Sequence, residues 1–351
     1  MCQLLDIEQP DALLAYLRDQ GHIAPTEQPL IRTLAGGVSN RTVWVERPNG
    51  EAWVLKQALA KLRVSVDWFS SPERVHREAL GLRWLAELAP PGATPRLIFE
   101  DHSHHLLAMQ AVPQPHDNWK TLLLAGRLVE DHLNQFGRLL GTIHRRAFER
   151  REEVAAVFED RSFFESLRLE PYYAYTAGQV PAAAEFLHPL IEETHACRLT
   201  LVHGDYSPKN VLAYQNRLIL LDHEVIHWGD PAFDLGFSLT HLLSKAHFLP
   251  QQRAAFAAAA VAYWQVYTET LGATLVASFS SRSPVIGPRS TFEARAARHT
   301  LACLLARVAG RSPLEYLSEA ARARQQEAVL ALLANPPLRI TELVNQFISK
   351  L

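Results

Sequence analysis

The sequence predicts an α+β protein with two lobes, a small antiparallel sheet carrying one main helix and then a larger, mostly helical part. Three observations carry that prediction. β-forming runs and a Pro-Asn-Gly turn crowd the first third of the chain, and apolar residues at helical spacing dominate the rest. The helical part is interrupted once, by LVHGDYSPKNVLAYQNRLILLDHEVIHWGDPAFDLGF (Leu201 to Phe237), where short apolar runs end at acidic and amide side chains.

Asp11 to Gly21 reads as a short helix, with Leu13, Leu14 and Leu17 on one face and Gly21 as its stop. LIRTLAGG, RTVWVERPNG and EAWVLKQA follow as strands, the last two joined through Pro48-Asn49-Gly50. Ser71-Pro72-Glu73 starts a helix running to about Leu88, with Val75, Ala79, Leu82 and Leu85 inward. Arg96 to Phe99 and His105 to Met109 read as two more strands, and Val112 to Asn118, with two prolines, as a linker. The expected division is therefore 1–111 and 112–351.

In the second part Leu133, Phe136, Leu140 and Ile143 form one helical stripe, and Ala254 to Leu271, His299 to Val308 and Glu315 to Leu333 add helices. Ser278 to Ser290 reads as an exposed loop. LVH and RLILL are expected to pair as neighbouring strands, which would bring Asp205, Asn210, Asp222 and Glu224 together at a cleft between the lobes.

Composition excludes several classes of protein. The 351 residues are 48% hydrophobic, enough for one large or two modest cores. A net charge of −2 with no basic face speaks against nucleic acid as a partner. No apolar run reaches the ~20 residues that span a bilayer, and Asp6 and Glu8 stand where a signal peptide would be basic and then apolar. Cys2, Cys197 and Cys303, odd in number and far apart, fit a reducing compartment, so a cytoplasmic location is expected.

The chemistry implied by the interrupting segment is phosphoryl transfer from a magnesium nucleotide. One carboxylate would orient a hydroxyl nucleophile, while an amide and one or two carboxylates would hold Mg²⁺. Asp205 leaves an apolar run at a glycine, Asn210 follows five residues later, and Asp222 ends the run Leu218 to Leu221. Glu224 would face the same side as Asp222 if the chain stays extended. Lys56 ends VLK on a predicted strand, where its ammonium could reach phosphates, although a strand lysine is usually a solvated one. Glu78 falls among Val75, Ala79 and Leu82 on the sheet-facing side of its helix, so a Lys56–Glu78 pair is expected. Gly36, Gly37, Ser39 and Asn40 join two strands and could approach phosphate, or form only a turn. Histidines 203, 223 and 227 beside Asp205 and Asp222 suggest a metallohydrolase, but that reading leaves GGVSN and Lys56 without a use. Trp44, Trp53, Trp119 and Trp228 read as packing residues.

The ordered set GGVSN, VLK, a helix glutamate, HGDxxxxN and an aspartate near DPAFDLG resembles the aminoglycoside phosphotransferase and choline kinase family of small-molecule kinases, over roughly Leu30 to Phe237. VLKQALAKLRVSVDW, ERVHREAL and Asp222-His223-Glu224 look most like 5-methylthioribose kinase. The resemblance implies a bilobal protein-kinase-like fold, with ATP and Mg²⁺ as cofactors. It implies Asp205 as catalytic base, Lys56 as phosphate ligand with Glu78 as its partner, and Asp222, Glu224 and Asn210 as metal ligands. Met109, Gln110 and Val112 fall where the family's hinge binds adenine. Asp234 matches the aspartate that braces the catalytic loop through His203. Arg307 fits the first of two substrate-holding arginines, with Val308 in place of the second.

The acceptor expected is a hydroxyl of a small polar molecule, a sugar or nucleoside-like alcohol resembling methylthioribose. Aminoglycosides and choline-type amino alcohols are the alternatives within the family, and a nucleotide-binding pseudokinase the alternative outside enzymes. Neither nucleic acid nor a membrane is an expected partner, and a homodimer stays open.

Overall fold

The computed structural model describes residues 5–34, 39–63, 69–282, 287 and 291–351. Five antiparallel strands, β1 (Leu30–Thr33), β2 (Asn40–Glu46), β3 (Ala52–Ala58), β4 (Leu97–Asp101) and β5 (Leu106–Gln110), form one sheet in the order β1-β2-β3-β5-β4. Alternation along β3 sends Trp53 and Leu55 to one face, into a cluster with Leu13 and Leu17 of the helix Pro10–Asp19. Val54 and Ala58 turn to the other face, against Val75, Ala79 and Leu82 of the helix Arg74–Leu88. Lys56 shares that second face by the same two-residue period, which is why it meets this helix.

The remainder of the chain is mostly helical, an α+β architecture with a sheet at one end. Its core gathers Phe136 and Leu140 from the helix Glu130–Glu149, Phe233 and Leu239 from Pro231–Phe248, Tyr263 from Arg253–Leu271, and Leu301 and Leu305 from Phe292–Ala309. The helices Pro231–Phe248 and Phe292–Ala309 approach so closely that a Cβ on Gly236 would lie 2.4 Å from His299 Cβ and 2.6 Å from the His299 carbonyl carbon. Gly236→Ala is therefore expected to cost about 1–3 kcal/mol of stability, because backbone cannot rotate aside as a side chain can. Urea unfolding measures this, and an unchanged midpoint would contradict the close approach. No helix among the described residues is long and apolar enough to cross a membrane.

Two small ladders interrupt the helices, and their pairing corrects the sequence expectation. The apolar run after Thr200 forms β7 (Thr200–Val202), which pairs with β10 (His227–Gly229), not with RLILL. RLILL supplies β9 (Arg217–Leu220), which pairs with β8 (Val211–Tyr214), a strand the sequence reading passed over. A third strand, β6 (Asp117–Asn118), ends the expected linker on the other edge of β8. The reason is local. Gln215 and Asn216 both adopt left-handed φ, +47° and +60°, the two-residue turn that closes a tight hairpin between adjacent strands.

Other boundaries also differ. The helix expected from His299 begins at Phe292, capped by the Thr291 side chain, and the helix expected from Glu315 begins at Glu319, capped by Ser318. Ser278 to Ser281 belongs to the helix Ala273–Ser281 rather than to a loop, while residues 283–286 and 288–290 lie outside the described residues. An unpredicted π-helical segment, Glu165–Ala174, holds Pro171, whose ring is incompatible with regular i→i−4 bonding.

Candidate active site

Lys56 Nζ lies 2.6 Å from Glu78 Oε1 and 3.1 Å from Asp222 Oδ1, so one ammonium joins a sheet strand, a helix and the loop after β9. Burial opposes the charge on Lys56, but Asp222 and Glu78 outweigh it and hold the ammonium firmly protonated. Burial likewise opposes the charge on Asp222, and Lys56, Lys209 and Arg168 together keep its carboxyl well below the usual range. Burial pushes Glu78 up to about 7 against the pull of Lys56. Asp222 sits at φ +69°, so the chain is not extended there, and Glu224 does not follow it in strand alternation. Glu224 is instead met by Arg74 Nε at 3.2 Å. That guanidinium is fully buried and also donates to the carbonyls of Ser71 at 3.0 Å, Leu59 at 2.9 Å and Ser39. Burial and the neighbouring Asp222 push the Glu224 carboxyl up despite Arg74.

Asp205 lies in the loop after β7, following Gly204 at φ +76°, a left-handed turn that glycine adopts without strain. A Cβ there would also lie 2.9 Å from Val225 Cγ2. Asp205 Oδ2 accepts from Asn210 Nδ2 at 2.7 Å and pairs with Arg168 Nη2 at 2.7 Å. Arg168, from the π-helical segment, is further held by the Gly204 carbonyl at 3.1 Å and the Leu167 carbonyl at 2.7 Å.

Asp234, fully buried, accepts the backbone N–H of His203 at 2.7 Å and of Gly204 at 2.8 Å, and meets His144 Nε2 at 3.2 Å. Asp234 thus braces the loop through backbone groups, while the His203 ring accepts the Asp205 N–H at Nδ1 (3.2 Å) and lies 3.1 Å from His223 Nδ1 through Nε2. Burial lowers both imidazoles, so this pair is neutral. His227 Nδ1 meets the Val225 carbonyl at 3.0 Å. None of these three histidines belongs to a metal-ligating cluster among the described residues.

The remaining expected residues fall out as follows. Gly36 and Gly37 lie outside the described residues, while Asn40 is buried, with its Nδ2 3.2 Å from Ser39 Oγ. At the hinge, the N–H groups of Gln110 and Ala111 are engaged with the carbonyls of Arg96 (2.8 Å) and Ala52 (2.9 Å), and Met109 and Val112 are buried. Arg307 is turned to Tyr172 Oη at 3.0 Å, to Ser312 Oγ at 2.9 Å and to the Ser312 carbonyl, so much of its guanidinium is committed to structure.

Four residues escaped the sequence reading. Arg74 and Arg168 pair with carboxylates 150 and 37 positions away, at separations no local pattern reveals. His144 completes the Asp234 network. Lys245, fully buried on the helix Pro231–Phe248, donates to the His241 carbonyl at 3.2 Å and faces the Tyr316 ring at 5.6 Å. Burial, with Lys120 and Arg307 adding like charge, pulls its ammonium down to about 7. A lysine at i+4 of an apolar helix reads as a surface residue, and only the packing of Tyr316 over it says otherwise.

The sequence model of the phosphotransferase enzyme family (APH) matches residues 30–272. Nothing among curated protein sequences matches the chain. Among solved structures, the chain is similar to a macrolide 2′-phosphotransferase from Brachybacterium faecium, at 21% identity and a TM-score of 0.50, covering 93% of this chain and 99% of that one. It is similar also to a choline/ethanolamine kinase family protein from Mesorhizobium loti, at 14% identity and a TM-score of 0.51, covering 97% and 98%. An amicoumacin kinase in complex with AMP-PNP, Ca²⁺ and its antibiotic gives 13% identity and a TM-score of 0.52, covering 88% and 89%.

Proposed function

The chain belongs to the phosphotransferase enzyme family, and from that premise we propose that it transfers the γ-phosphoryl group of ATP to a hydroxyl of a small polar molecule, sugar-like or nucleoside-like and neutral or anionic. The observation that carries this reading is the charge arrangement in the cleft. Four carboxylates, the buried Glu78, Asp205 and Glu224 and the partly exposed Asp222, stand against three cations in contact with them, Lys56, Arg74 and Arg168. Such a site has more carboxylate oxygens than its contacting cations occupy, and the remaining oxygens suit a hard divalent cation.

Asp222, Glu224 and the Asn210 amide are the donors that would hold Mg²⁺, which supplies charge neutralisation to the phosphates when bound. Lys56, kept protonated and aimed by Glu78, pairs with phosphate oxygens, and Ser39 and Asn40 contribute from the strand edge. Adenine is read by the remaining backbone groups of residues 109–112. Asp205 orients the acceptor hydroxyl and takes its proton at Oδ1, while Asn210 and Arg168 hold Oδ2. Arg168 also offers a fixed guanidinium where charge builds on the transferring group.

Positive charge on the other side of the same loop supports this acceptor class. Lys209 follows directly on Pro208 in it, and Lys120, Lys245 and Arg307 all depress the buried His241 through like charge. A polycationic aminoglycoside would be repelled there, whereas a neutral or anionic alcohol would not. ATP consumption measured across a panel of acceptors, including methylthioribose, anionic sugars, an amino alcohol and an aminoglycoside, tests the reading. Turnover confined to the cationic acceptors would overturn the acceptor class, and no turnover with any alcohol would overturn the activity.

Lys245→Met keeps the length and apolar stem of the side chain while removing the buried charge. The expected result is a KM for the acceptor raised by about tenfold, the scale of 1.4 kcal/mol, with the KM for ATP within about twofold and thermal stability not reduced. Unchanged acceptor kinetics would remove Lys245 from the proposal.

A further inference from the structure

A second concentration of ligand-type side chains lies in the sheet lobe, between the start of the helix Arg74–Leu88 and the turn joining β4 to β5. From its geometry we propose a site for one divalent transition-metal ion, of the zinc class, centred on His76. Two overlapping triads share that imidazole, Glu73/His76/His105 and His76/Glu100/His102, and within each the ligand atoms lie within 4.8 Å of one another.

The separations fit a first coordination shell. Zinc–nitrogen and zinc–oxygen bonds of about 2.0–2.1 Å in a tetrahedron place neighbouring ligand atoms roughly 3.3–3.4 Å apart. His76 Nδ1 lies 3.5 Å from Glu100 Oε2, His102 Nε2 lies 3.3 Å from Glu100 Oε1, and His105 Nδ1 lies 3.4 Å from Glu73 Oε1.

The hydrogen-bond inventory points the same way. The His76 side chain is nine-tenths buried, yet its Nε2 has no hydrogen-bond partner and its Nδ1 has only Glu100 Oε2, at 3.5 Å. His105 Nδ1 is likewise buried, with only Glu73 Oε1 near it, at 3.4 Å. Buried polar atoms are seldom left so, and these belong to the two triads that share His76. Arg83 engages Glu100 through Oε1 at 2.7 Å, which neutralises the carboxylate while leaving Oε2 directed at His76.

The turn is built to hold its histidines in place without help from an ion. Asp101 Oδ1 accepts the N–H groups of Ser103 at 2.7 Å and His104 at 3.2 Å, and Tyr16 Oη donates to Asp101 Oδ2 at 2.7 Å. His105 adopts φ +47°, a left-handed conformation uncommon outside glycine, and its ring lies 5.7 Å from that of His76. The His76 and His102 rings stack 3.9 Å apart at an interplanar angle of 10°, so His102 must turn for its nitrogen to reach an ion that His76 holds in its own plane. Imidazoles with one carboxylate select zinc, copper or nickel over magnesium, so this site would not compete for the nucleotide's ion. An ion here would tie the β4–β5 turn to the helix two residues before Glu78.

The test is Zn²⁺ titration of the full chain against a chromophoric chelator, in excess Mg²⁺ to occupy oxygen-rich sites, with Co²⁺ as a spectroscopic probe. One equivalent bound at micromolar affinity or tighter is expected, with visible Co²⁺ absorption typical of four-coordinate N/O ligation. His76→Ala should weaken Zn²⁺ binding by about 100-fold, and the double variant H102A/H105A, which alters only the turn, should weaken it without depending on the packing around His76. Absence of Zn²⁺ binding by the wild-type chain, or equal affinity in the wild-type and double-variant proteins, would overturn the site.

Discussion

Asp205→Asn is expected to lower kcat by about 10²–10⁴-fold, the range for loss of a positioned acid or base, while the affinity for ATP changes by less than about threefold. Asparagine is the informative replacement because of Arg168. That guanidinium is buried against the Asp205 carboxylate at 2.7 Å, and truncation to alanine would leave it facing a hole as well as a lost charge. The amide keeps an oxygen acceptor for Arg168 and Asn210 and removes only the base. Steady-state ATP consumption with the acceptor found in the panel measures the first quantity and nucleotide titration the second. A variant turning over within tenfold of wild type would reassign the base. Adding Arg168→Gln then asks whether the two residues act as a unit, because independent roles would give additive losses in log kcat and a shared role would not.

The second large effect is expected at Asp222. Asp222→Asn should weaken magnesium-dependent nucleotide binding by at least about 100-fold, or roughly 2.7 kcal/mol, with little change in the weak binding seen without the metal. Asparagine is again the cleaner probe, now because of the backbone. Asp222 holds φ +69°, a region that asparagine tolerates and alanine does not, so Asp222→Ala would mix strain with loss of a ligand. Calorimetric titration with ATP in the presence and absence of Mg²⁺ separates the two contributions. Equal affinities with metal in the wild type and the variant would remove Asp222 from the metal site.

How far the sequence carried these conclusions depends on the range of each interaction. Lys56 and Glu78 were legible because each lies on a strongly patterned element, where a two-residue or a 3.6-residue period fixes the face. Their 2.6 Å contact follows from packing those two faces together. The pairing of LVH with RLILL was misread because the hairpin signal, two left-handed residues at Gln215 and Asn216, is carried by Tyr-Gln-Asn-Arg and contains no glycine. The glutamate of Asp222-His223-Glu224 was visible, but not its counter-ion. Arg74 lies 150 residues earlier, in a helix whose apolar stripe gives no reason to bury an arginine. Arg168 sits in a π-helical segment, a conformation with no sequence period of its own, so the residue touching the proposed base was the hardest to foresee.

The ion pairs within the site have a consequence for turnover. Lys56–Asp222 and Arg74–Glu224 each join a cation from the first eighty residues to a carboxylate beyond residue 220. On the proposed reading, magnesium nucleotide meets carboxylates that are already partly countered, and Lys56 turns from Asp222 towards phosphate as it binds. The exchange runs backwards when the spent nucleotide departs. On that reading the Lys56–Asp222 pair would re-form behind the departing nucleotide, so the resting ion pair would favour product release.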